Sequence, residues 1–189
     1  MQGDSLEVYF ATSNKHKVEE AKKVLGTVGI TVKHFPFVHR EIRSDSLEEI
    51  AREAATAAFK QCRQPVFVED TGLFIDSLNG FPGTFSAWTL KKIGLEGILK
   101  LMQGVNNRSA YFETYIAYKR DTSHISTFSG KCSGQISLEG RGSEGFGYDP
   151  LFVPDGHDQT FAESITLKNK LSHRYKSLLE FSKTLTSRR

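Results

Sequence analysis

The first seventy residues of this 189-residue chain alternate twice between short β-rich runs and helical periods, and that alternation limits the fold more tightly than anything after it. Residues 6–11, LEVYFA, form a mostly apolar run. The polar stretch TSNKHK follows, and then Val18, Ala21, Val24 and Leu25 recur at helical spacing with Gly26 as a stop. ITVKHF reads as a second strand. Ser46 is placed to cap a helix over 47–62 that turns Leu47, Ile50, Ala54 and Phe59 inward. PVFVED is a third strand, apolar enough to lie centrally, ending at the adjacent carboxylates Glu69 and Asp70 before a Gly-, Asn- and Pro-bearing loop. A β-α-β-α-β order predicts a sheet with helices packed on it.

The later chain changes character. GLEGILKLMQG is helical, and SAYFETYIAYKR and HISTFSGKCSGQIS are long aromatic and β-branched runs that read as antiparallel strands. Residues 139–156 are irregular apart from LFV, and one final helix carries Leu171, Tyr175, Leu178, Leu179 and Phe181 on one face. The expected fold is therefore α/β with a long mixed central sheet flanked by helices. Two lobes with an active-site cleft between them make up one domain over 1–189, with no separable linker.

Composition narrows the function. A net charge of +3 is too mild for a nucleic-acid coat, and its basic end, Arg188 and Arg189, reads as a solvated tail. Cys62 and Cys132 match no zinc spacing, and the six histidines form no HExxH. Gly3 and Asp4 interrupt any leader peptide, and no run approaches the ~20 apolar residues of a membrane span. A soluble cytoplasmic protein without nucleic-acid or membrane partners is the expectation.

Four segments carry chemistry. In TSNKHK, hydroxyls, an amide and helix N–H groups converge with Lys15 and Lys17 where a strand hands over to a helix, which suits a phosphate. Taken alone, Ser13 or Asn14 capping the helix is the simpler account. Glu69 and Asp70 at a strand end suit a hard cation such as Mg²⁺, or only an Asx-type turn at Asp70. In GFGYDP an extended backbone would turn Phe146 and Tyr148 to one side as a wall for a heterocyclic base, beside Asp149; both rings also suit a core. LSHR places His173 and Arg174 near a helix start, with Lys168 shortly before, as donors for carbonyl acceptors or as solvated cations.

The ordered series TSNKHK, Glu41 in REIRS, VEDTGL with LNGFPG, GFGYDP, TFAE and K…LSHR resembles the inosine/xanthosine triphosphate pyrophosphatases, the Ham1-like family, from about Phe10 to Arg174. That resemblance implies an elongated two-lobed α/β homodimer. It also implies Mg²⁺-dependent cleavage of ITP, dITP or XTP between the α and β phosphates, giving the monophosphate and pyrophosphate. Carried over by position, Thr12, Ser13, Asn14, Lys15, His16 and Lys17 bind the phosphates, and Glu41 and Asp70 hold the metal. Asp70 also accepts the proton of the attacking water, and Thr71 lies against the substrate. Phe146, Gly147, Tyr148 and Asp149 form the base pocket, completed by Lys168, His173 and Arg174. Two positions depart from the family pattern: Ala54 stands where many relatives carry a lysine, and Trp88 where they often carry an arginine. The rival readings are a Maf-like pyrophosphatase, whose arginine-bearing first loop does not fit TSNKHK, and a non-catalytic nucleotide- or RNA-binding module. Carboxylates beside a phosphate site argue against the second unless a metal intervenes.

Overall fold

The computed structural model describes residues 6–187; the expected tail at Arg188 and Arg189 and the break at Gly3 and Asp4 lie outside them. The first half runs β1 (Leu6–Ala11), α1 (Lys15–Gly26), β2 (Ile30–Phe35), α2 (Leu47–Cys62), β3 (Val66–Ile75), β4 (Pro82–Gly83) and α3 (Ser86–Leu101). The second runs β5 (Ser109–Lys119), β6 (Ile125–Ile136), β7 (Phe152–Pro154), α4 (Ile165–Leu171) and α5 (His173–Thr186). One sheet takes the strand order β2-β1-β3-β5-β6-β7, with β4 pairing β3. The sheet is mixed: β1 lies parallel to β2 and β3, whereas β3–β4 and β6–β7 are antiparallel.

The chain divides into two compact units. The first comprises residues 1–70, 114–130 and 174–189; the second comprises 71–113 and 131–173. Three of the division points fall inside β3, β5 and β6, which is why no linker is legible.

The first unit buries two cores because its central strands are apolar on both faces. On β1, Val8 and Phe10 join the cluster containing Leu25 of α1 and Phe181 of α5, while Ala11 joins the cluster containing Ala51 and Ala55 of α2. β3 repeats the division, with Phe67 in the first cluster and Val66 and Val68 in the second. Phe67 is fully buried, its ring centroid 4.3 Å from that of Phe10 and 5.0 Å from that of Phe181. The second unit has its own core, in which Leu73, Ile98, Phe112, Tyr148, Phe152 and Phe161 meet.

Three expectations are corrected. β3 does not end at Asp70 but continues to Ile75, because Leu73 and Ile75 alternate into the second core while Leu73 and Phe74 pair with β4. α3 starts at Ser86, well ahead of the expected Gly94. Gly94 breaks its interior at φ 64° and ψ −172°, and such an internal breaker reads from sequence as a start. The final helix is two, because Ser172 is extended at φ −62° and ψ 153° and resets the helical phase. Leu178 and Phe181 are buried as expected, whereas Leu171, Tyr175, Leu179 and the α2 residue Phe59 are only half-buried.

The Phe10–Phe67–Phe181 contact sets a stability prediction. Phe67→Ala should lower unfolding free energy by about 3–5 kcal/mol, read as a lower urea midpoint at unchanged slope. A loss below about 1 kcal/mol would show that this ring is not packed as described.

Candidate functional site

In the first unit, β1 hands over to α1 through a turn closed by its own side chains. Thr12 Oγ1 accepts from the Asn14 amide at 3.1 Å, and Asn14 is the N-cap, its Oδ1 accepting from the amides of His16 at 2.9 Å and Lys17 at 3.4 Å. His34 on β2 donates from Nε2 to the Thr12 carbonyl at 2.9 Å. The capping reading thus holds for Asn14, and Ser13, Lys15 and His16 are exposed around it. The charge pattern is inverted for a helix start. α1 has no acidic residue in its first turn, where α2 has Glu48 and Glu49. A helix N-terminus favours negative charge, so the exposed Lys15 there suits an anion from outside the chain, whereas Lys17 is met by Glu69 from within.

Glu69 and Asp70 take opposite sides of β3, because strand neighbours alternate. Glu69 falls on the face of Phe67, toward α1 and α5, and its side chain is fully buried. Arg174 Nε donates to both Glu69 carboxylate oxygens at 2.8 Å, and its Nη2 lies 2.7 Å from Oε1. Lys17 Nζ lies 3.1 Å from Glu69 Oε1 and 3.4 Å from the Glu69 carbonyl. Glu20 closes the cluster at 2.6 Å from Arg174 Nη1. Burial works against ionisation of Glu69, but Arg174 and then Lys17 outweigh it and hold the carboxyl at about 2. Burial likewise disfavours the charged Arg174, yet Glu69 and Glu20 raise its pKa. The Arg174 guanidinium therefore faces carboxylates of α1 and β3, a setting its sequence position at a helix start did not disclose.

Asp70 falls on the other face of β3, that of Val66 and Val68, and is half-buried. Thr71, also half-buried, is the first residue of the second unit. Glu41 is exposed in the segment between β2 and α2, whose Phe37 packs in the same cluster as Val66 and Val68. Among the described residues no three His, Cys, Asp or Glu side chains gather as a metal cage. Mg²⁺ needs no such cage, since it retains waters and takes phosphate oxygens alongside one or two carboxylates. Of the two positions noted as departures, Ala54 is buried in the α2 core and Trp88 is exposed on α3.

The second unit builds a different constellation. Lys168 of α4 is buried with its Nζ 2.7 Å from Asp149 Oδ2 and 4.1 Å from the centre of the Phe146 ring. The Phe146 amide donates to that same Asp149 oxygen at 2.7 Å. Gly145, at φ 72°, lies against the Asp149 carboxylate where a Cβ would collide with it. Residues 145–148 are bent rather than extended, with Gly147 also at positive φ. The expected common wall of Phe146 and Tyr148 is therefore corrected. Phe146 stays half-exposed over Lys168, whereas Tyr148 is core, its hydroxyl donating to the Ser86 carbonyl at 2.8 Å. Burial pushes the Tyr148 phenol up to about 12. His173 is buried and stacks on Phe112 at 4.5 Å.

Sequence reasoning missed Glu20 and the internal duty of Glu69. The signal for Glu20 was its place beside buried Ala21, one turn after Lys17, and Glu69 followed from strand parity with Phe67.

The Glu69 cluster sets a pH dependence. A carboxyl held below its ordinary 4.5 contributes stability that is complete above that value and is lost as pH falls toward about 2. The unfolding free energy should fall by on the order of 3 kcal/mol across that window, and Glu69→Gln should flatten that part of the curve. Equal slopes for both proteins in urea melts between these pH values would contradict it.

Comparison with known proteins completes the picture. A profile of the Ham1 family matches residues 8–184. The dITP/XTP pyrophosphatase of Methanopyrus kandleri is 48% identical over 178 residues, spanning 94% of this chain and 95% of that protein. The dITP/XTP pyrophosphatase of Thermococcus kodakarensis is 47% identical over 177 residues, spanning 93% and 95%. Among solved structures, the Ham1 protein of Staphylococcus aureus superposes with a TM-score of 0.83 at 28% identity, over 97% of this chain and 100% of that one. A HAM1 protein from Coxiella burnetii superposes with a TM-score of 0.83 at 29% identity, over 96% and 99%.

Proposed function

Because the chain belongs to the Ham1 family, we propose that it is a nucleoside triphosphate pyrophosphatase acting on non-standard purine nucleotides: dITP, ITP and XTP. The observation that carries this reading is the 48% identity to a dITP/XTP pyrophosphatase, sustained over 94% of the chain. The Ham1 family match and the curated relatives favour it over a Maf-like enzyme.

In this reading the turn Thr12–Lys17 receives the phosphate chain, since the N-terminus of α1 carries Lys15 and Lys17 with no acid in its first turn. Asp70 and Glu41 would hold Mg²⁺, which when bound offsets charge on the phosphoryl oxygens. Asp70 takes a proton from water as the water oxygen bonds to phosphorus. The bridging oxygen between the α and β phosphates departs with pyrophosphate, leaving the monophosphate. Phe146, Asp149 and Lys168 supply base recognition: a ring face, an acceptor and a donor. Hypoxanthine carries an acceptor at position 6 and an N–H at position 1, which match Lys168 and Asp149 in turn. Adenine reverses both. His173 stacks on Phe112 within the second unit, and Arg174 acts in the first unit, through Glu69. A homodimer working in the cytoplasm, without nucleic-acid or membrane partners, belongs to the same proposal; no helix of the described residues is long and apolar enough to cross a membrane.

Two measurements test this reading. Phosphorus NMR of a dITP reaction with Mg²⁺ should show pyrophosphate as the product released with dIMP. Orthophosphate with dIDP as the main products would reject the reading. Base selectivity should be steep, with kcat/KM for dITP exceeding that for dATP by on the order of 10⁴, because the wrong base leaves buried polar groups unmatched. Comparable values for the two would mean that Lys168 and Asp149 do not read the base.

A further inference from the structure

Lys17 is the cation of the TSNKHK turn whose position is fixed from within. An ammonium has three N–H donors. Two of those on Lys17 are occupied by one residue, Glu69, through its carboxylate at 3.1 Å and its backbone carbonyl at 3.4 Å. The third remains for an anion. Lys15, on the same turn, is exposed instead.

Glu69 in turn has little freedom to move. Its side chain is fully buried, and the Arg174 guanidinium, itself 3% exposed, grips both carboxylate oxygens while Glu20 holds its far end. The carbonyl that binds Lys17 belongs to the peptide joining Glu69 to Asp70. One residue thus ties the first turn of α1 to the strand position that carries Asp70, and a shift of β3 moves both together.

We propose that Glu69 is a positioning residue: its carboxylate, clamped by Arg174, sets the Lys17 ammonium at the N-terminal turn of α1 so that it meets the substrate's phosphate chain in register with Asp70. This rests on the pyrophosphatase reading, and it assigns to Glu69 no contact with substrate or metal. An ammonium on a flexible four-carbon stem loses much rotamer freedom when it grips a phosphate. A counter-ion that fixes it beforehand lowers that cost, and the benefit falls on binding.

The test separates positioning from general structural support. Glu69→Asp keeps the charge but withdraws it by one methylene, and Glu69→Gln keeps the shape but removes the charge. Each should raise KM for dITP by about tenfold, the size of one charge-assisted hydrogen bond, with kcat within about threefold of the unsubstituted enzyme. In a Lys17→Ala background neither should raise KM further. An unchanged KM in folded Glu69→Asp overturns the proposal, as does the same multiplicative rise with and without Lys17. If the Glu69 variants do not fold, Lys17→Ala alone decides, because it leaves the Arg174–Glu69 pair in place. It must raise KM by at least tenfold, and an unchanged KM overturns the proposal. Failure of the unsubstituted protein to turn over dITP would instead reject the pyrophosphatase reading itself.

Discussion

The first unit is organised around a carboxylate that does not touch water. Glu69 sits on β3 between Lys17 of α1 and Arg174 of α5, with Glu20 behind Arg174, so two cations and two anions close on one another inside the protein. Burying such charges is costly unless every partner is present, and removing one leaves an uncompensated charge. The cluster therefore fixes geometry more than it adds stability. It requires α1 and α5 to meet the same face of β3, which is the face where Phe67 packs on Phe10 and Phe181. Apolar packing and ion pairing agree on one arrangement, and that agreement specifies the position of the α1 turn.

Strand parity does the rest. Asp70 follows Glu69 directly and so belongs to the other face, with Val66 and Val68 and the cluster that includes Phe37 just ahead of Glu41. Two adjacent carboxylates are thereby given unlike surroundings. One is buried and neutralised by Arg174 and Lys17; the other is only half-buried on the opposite face. In the second unit the same economy recurs at Asp149, which accepts from both Lys168 and the Phe146 amide and leaves the Phe146 ring half-exposed above the ammonium.

Much of the fold was legible because the early elements are locally self-consistent. β1, β2 and α2, with Ser46 as its N-cap, lie where periodicity and capping put them. The errors share one cause, which is that local signals were taken at face value where distant partners decide. The polar pair Glu69–Asp70 looked like a strand end because its buried partner is Arg174, more than a hundred residues away in sequence. Gly94 looked like a helix start because an internal break and a boundary carry the same residue. Tyr148 looked like a ligand wall, and two glycines at positive φ turned it into the core. Which of the candidate residues pair with one another inside the protein, as Arg174 does with Glu69 and Lys168 with Asp149, needed three-dimensional partners.

The central claim is that the neighbouring acids of β3 divide their labour, Glu69 holding structure and Asp70 serving chemistry. It is tested most directly by measuring thermal midpoint and saturating turnover of dITP side by side for Asp70→Asn and Glu69→Gln. The account predicts that Asp70→Asn keeps its Tm while kcat falls by on the order of 10²–10⁴. Glu69→Gln should lose several degrees of Tm and retain kcat within about threefold. Near-normal turnover in Asp70→Asn would contradict the account, and so would a Glu69→Gln protein that melts normally and loses turnover as deeply as its neighbour.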